Sequence, residues 1–106
     1  MATEKYSLRI MPQAAADLSD IFEYISASLH NLQSAQKLMC EIETAFMTLK
    51  EMPLAYPLCS SAYLLKKNYR KLIVNNYLAF YIVQESAKTV LVMRILYGRR
   101  DYEKLL

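Results

Sequence analysis

The sequence predicts an α+β domain: an N-terminal strand, then an antiparallel helical hairpin packed on a mainly antiparallel sheet of three to four strands. Three observations lead there. Apolar residues recur at spacings of three and four across residues 12–29 and again across 32–52, the period of amphipathic helices. Residues 69–97 hold three runs rich in β-branched and aromatic residues, separated by turn residues. At 106 residues, 55% of them hydrophobic, the chain has material for one core and one domain, residues 1–106.

The elements follow in order. "KYSLRIM" (5–11) alternates Tyr6, Leu8 and Ile10 with Ser7 and Arg9, as a half-buried strand does. Pro12 suits a first helical turn, where its missing N–H costs nothing. Ala15, Leu18, Ile21, Phe22, Ile25 and Leu29 then form one stripe. Asp17, Asp20 and Glu23 fall off it, toward the helix end whose dipole favours anions. Asn31 is placed to cap a second helix with the stripe Ala35, Leu38, Met39, Ile42, Phe46, Leu49 and Met52, closed by Pro53. So short a connection makes the two helices antiparallel neighbours.

"PLAYPLCSSA" (53–62) reads as a loop and "YLLKKN" (63–68) as a short strand or turn. "YRKLIV" (69–74) and "YLAFYIVQ" (77–84) are strands joined at Asn75-Asn76, since Asn tolerates positive φ. "ESAK" turns the chain into "TVLVMRILY" (89–97), which ends at Gly98, the sole glycine. Strand alternation groups Arg70 with Leu72 and Val74, and Val90 with Val92, Arg94 and Leu96. With helices on one face, the other face is expected to be open. Leu78, Phe80 and Ile82 are expected beneath the helices, with Tyr77 and Tyr81 edging the open side.

Several function classes fall away. The longest apolar-leaning run, residues 72–83, is broken by Asn75-Asn76 and is too short to span a bilayer. The first ten residues lack a secretory h-region, and Cys40 and Cys59 form no metal pattern and suit buried reduced thiols. A cytoplasmic protein needing no cofactor or metal is expected. Residues 1–62 carry four basic and seven acidic groups, whereas residues 63–106 carry nine basic and three acidic. The later half therefore offers a positive field to an acidic partner or polyanion.

The pieces "DLSDIFEYIS", "YRKLIVNNYLAFYIV" and "RILYGRRDY", in this order and spacing, resemble the RelE/ParE superfamily of toxins from bacterial type II toxin–antitoxin modules. The resemblance implies a small toxin with the fold read above, held inactive by a cognate antitoxin and associated with plasmid stabilisation and growth inhibition. RelE-like members cut mRNA on the ribosome without metal; ParE-like members bind DNA gyrase. The ribonuclease pattern would fall on Arg70, Lys71, Arg100 and Tyr102. Its arginine after the next strand's tyrosine is replaced by Leu78, which favours the ParE-like branch. The partner surface is then expected at Arg70, Lys71, Arg94, Tyr97, Arg99, Arg100 and Tyr102, gathered on the open sheet face and tail. Arg94 has a second reading, as a structural arginine paired with Glu85 or Asp101. The ribosome-bound mRNA endoribonuclease is the alternative function.

Overall fold

A computed structural model describes residues 6–59, 62–98 and 106. The chain runs β1 (Ser7–Ile10), α1 (Pro12–Glu23), a π-helical turn (Tyr24–Ser28), α2 (Leu32–Glu51), a short helix α3 (Ala62–Lys66), then β2 (Arg70–Val74), β3 (Tyr77–Gln84) and β4 (Thr89–Tyr97). The sheet order is β1-β4-β3-β2. The β2–β3–β4 meander is antiparallel, and β1 joins β4 in parallel with Ser7 opposite Thr89 and Ile10 opposite Val92.

Local chemistry accounts for the boundaries. Met11 donates its N–H to Val92 O at 3.0 Å, closing the β1–β4 pairing, and Pro12 opens α1 directly after it. The π turn places Leu29 N–H on Tyr24 O at 3.0 Å, five residues back. That wider turn moves the end of the helical stripe out of phase, so Leu29 is exposed. Asn31 caps α2 through Ser34 N–H at 3.0 Å. The β2–β3 turn is made by Asn75 at φ 54° and the turn before β4 by Lys88 at φ 48°. Gly98 is used for close approach rather than for a left-handed φ: its N–H meets Asn76 O at 2.8 Å, and an added Cβ would lie 3.2 Å from that oxygen.

Helices α1 and α2 pack on one face around Ala14, Leu38, Ile42, Phe46, Leu49, Leu72, Tyr81, Val90 and Val92. Four expectations change here. The sheet faces are exchanged: Ala79 and Tyr81 lie beneath the helices, with Tyr77 and Val83 packed against that core, whereas Leu78 and Phe80 belong to a second cluster. Tyr81 is fully buried because its hydroxyl has an acceptor, Pro53 O at 2.7 Å, so an aromatic with a polar tip fits a dry core. Nor is the second face open. Residues 63–68 hold the end of a helix, not a strand, and Leu64 of α3 joins Cys59, Tyr69, Leu78, Phe80 and Leu96, with Leu106 packed against them. The two cysteines are free; Cys59 is buried, but Cys40 is exposed on α2.

Candidate functional site

A β-bulge decides where Arg94 lies. Phe80 pairs with Arg94 but Tyr81 pairs with Val92, so Met93 is an extra residue on β4. Beyond it the alternation changes phase: Val90, Val92 and Ile95 belong to the helix-side core, Leu96 to the other. The predicted common face of Val90, Val92, Arg94 and Leu96 does not exist.

At the same point β4 loses a neighbour, because β1 ends opposite Val92. The edge of β4 past Val92 is taken over by a side chain of α1. Asp17 Oδ2 accepts from Ile95 N–H at 3.0 Å, and its carboxylate also accepts from Arg94 Nε at 2.8 Å and Arg94 Nη2 at 3.0 Å. One carboxylate thus replaces a missing strand and compensates a guanidinium whose side chain is only 15% exposed. The Asp17 bond is the main cause holding the Arg94 guanidinium pKa above its ordinary value. The structural reading of Arg94 is the one its geometry fits, with Asp17 rather than Glu85 or Asp101 as partner. Glu85 is engaged elsewhere, by Tyr6 OH at 2.6 Å and Lys88 Nζ at 3.4 Å.

The other expected site residues separate. Arg70 is half-buried on the helix side, and its Nη1 donates to Tyr56 O at 2.5 Å. Lys71, the next residue on β2 and opposite Phe80, points to the other face near Cys59. Burial pushes the Cys59 thiol pKa up, so this is not an activated nucleophile. Tyr97 is exposed at the end of β4. Arg99, Arg100 and Tyr102 lie outside the described residues. Among the described residues, the cations expected on one uncovered patch therefore stand on both faces, and two of them are tied to internal acceptors.

What the fold does assemble is a groove of about 1050 Å³ between the helical hairpin and the end of the meander. Asp17, Asp20, Ile21, Tyr24, Ile25 and Leu29 supply one wall; Asn75 to Tyr77 and Ile95 to Tyr97 face them across Leu38 of α2. The hairpin wall is tied to α2 by Asn75 Nδ2 donating to Glu41 Oε2. Tyr77 and Tyr97 meet edge to face with centroids 5.6 Å apart, and burial, then Tyr97 and Tyr24, raise the Tyr77 phenol pKa. Among the described residues no lysine or arginine lines the groove, and no group of three or more metal-ligating side chains occurs. Of the expected site residues, Tyr97 is the one among the described residues that lines this groove, and its other walls were not anticipated; Asp17, placed off the stripe, is in fact buried.

The concavity is largely apolar and edged by Tyr24, Tyr77 and Tyr97, and among the described residues no cations converge on it. Residues 8–102 match the family described as the ParE toxin of the type II toxin–antitoxin system, parDE, and the chain belongs to that family. It is similar in structure to a chain of the chromosomal ParDE toxin–antitoxin system from P. aeruginosa, at a TM-score of 0.71 and 21% identity over 89% of this chain and 97% of that one. It is also similar to a chain of the RelBE2 toxin–antitoxin complex from Mycobacterium tuberculosis, at a TM-score of 0.60 and 19% identity over 88% and 98%. No curated protein matches.

Proposed function

We propose that this ParE-family toxin arrests growth by binding DNA gyrase in the cytoplasm, and that a cognate antitoxin neutralises it by laying a segment in the groove between hairpin and meander. The observation carrying a binding role over ribonuclease action is the separation of Arg70 and Lys71. Metal-free cleavage at a phosphate needs cations converging on one oxyanion. Here Arg70 is held by a backbone carbonyl on one face and Lys71 projects from the other. The tail residues Arg99, Arg100 and Tyr102, with Lys71 and Tyr97, remain the proposed contacts to the target. Arg70 and Arg94 are left out of that set because their guanidinium groups are committed to Tyr56 O and to Asp17.

The test is induction in a bacterial host with and without the neighbouring small reading frame. Purified protein is added to a gyrase supercoiling assay, and transcript ends are mapped from the same cells. Growth arrest, lost supercoiling and rescue by the neighbour are expected. Codon-phased transcript cuts with supercoiling intact would overturn the gyrase reading in favour of the endoribonuclease.

A further inference from the structure

We propose that Tyr24, Tyr77 and Tyr97, with Asp20 beside them, form a receptor for a single basic side chain carried on an otherwise apolar segment of the antitoxin. This rests on the groove being the antitoxin site and names the chemistry of its occupant.

Charge is the first argument. The protein as a whole carries +3, yet among the described residues the formal charges lining the groove are Asp17 and Asp20 alone. Asp17 is neutralised by Arg94. Asp20 is exposed, and its carboxylate makes no hydrogen bond or ion pair within the described residues. An acidic segment would be repelled there, and a wholly apolar one would gain nothing from it. A cation is the complementary charge.

Aromatic geometry is the second. Asp20 and Tyr24 are four residues apart where α1 runs into the π turn, so they share a face. Tyr77 and Tyr97 form a corner, their rings inclined at 73°, on the opposite wall. Tyr24 is 56% and Tyr97 37% exposed, leaving ring surface for a ligand. The negative faces of such rings attract ammonium and guanidinium groups. Ile25 and Leu29 offer apolar surface for the methylene stem of the same side chain.

The experiment uses the full chain and three synthetic amphipathic peptides with the same leucine stripe and lysine, norleucine or glutamate at one central position. Titration by fluorescence anisotropy should show the lysine peptide binding about tenfold more tightly than norleucine, with glutamate weakest. Asp20→Asn should reduce the lysine preference by about threefold, and Asp20→Lys should invert the order. Tyr97→Leu, which keeps apolar contact, should also weaken only the lysine peptide. Thermal unfolding checks that each variant is folded, which the exposure of both side chains favours. Equal affinities, a glutamate preference, no binding of any peptide, or a lysine preference unchanged in Asp20→Lys would overturn the receptor. Growth on expression is scored separately. Arrest without a lysine preference removes the receptor and leaves the toxin reading, whereas lysine-selective binding by a harmless protein supports the receptor and removes that reading.

Discussion

Replacing Asp17 with alanine tests the central structural claim about Arg94. The carboxylate accepts three hydrogen bonds, two from the guanidinium and one from Ile95 N–H. Its loss leaves a mostly buried cation without its carboxylate and a buried backbone donor without its acceptor. Breaking one side of a buried pair costs about 3–5 kcal/mol, and an orphaned backbone group about 1–3 kcal/mol, partly the same energy counted twice. We expect about 3 kcal/mol for Asp17→Ala, read as a shift of the urea midpoint or a fall in Tm of roughly 12–24 °C. Such a loss is a large share of a typical domain's ~5–15 kcal/mol. Arg94→Met should lose about 2–3 kcal/mol by stranding the carboxylate. The double variant Asp17→Ala/Arg94→Met should lose less than the two single losses combined, with a coupling of about 2 kcal/mol. Asp17→Asn, of the same shape, keeps an acceptor for Ile95 N–H and provides a folded reference should the alanine variant not fold. Additivity within ~0.5 kcal/mol, or a cost below ~1 kcal/mol for Asp17→Ala, would refute the pair as a structural device.

Two further outcomes follow from the two cores. Tyr81→Phe should cost about 1–2 kcal/mol because Pro53 O loses its buried donor. Burial pushes the Tyr81 phenol up from 10.0 to about 12, so its stabilising contribution is complete below pH 10 and is lost as the pH rises through about 12. Urea midpoints measured across that alkaline range should fall more steeply in the parent than in the Phe variant. Leu64→Ala should cost about 2–5 kcal/mol in the same denaturation assay, because Leu64 is 1% exposed within the second cluster. A loss under ~0.5 kcal/mol would mean that this face of the sheet is not a core.

Element types were legible where periodicity was strong. The two helices, the Asn31 cap and the Asn75-Asn76 turn stand where sequence placed them, although in α1 the buried residues are Ala14 and Asp17 while Ala15 of the predicted stripe is exposed. The facing of the sheet was not legible, because β3 is apolar on both sides. Ala79 and Tyr81 or Leu78 and Phe80 would each make an acceptable core, and only Pro53 O, supplied by a distant loop, makes Tyr81 the inner residue. Strict alternation failed on β4 at the Met93 bulge, an insertion with no signature in its own residues. The Asp17–Arg94 pair was missed for a related reason: the partners are 77 residues apart, and a helical stripe has no means of marking an aspartate as buried. The groove depends on two segments meeting in space, and neither carries its pattern alone.

The parallel seam between β1 and β4 has a consequence for how the toxin comes into being. Residues 7–10 cannot find their partners until residues 89–92 have been made, so the first strand waits for nearly the whole chain. Contacts of such long sequence separation form late, after the local meander and helical hairpin. The edge of β4 that Asp17 and β1 jointly seal is therefore among the last parts to close, and a nascent chain presents it unsealed. A partner encountering the polypeptide during synthesis meets an unfinished sheet, not the groove of the mature molecule.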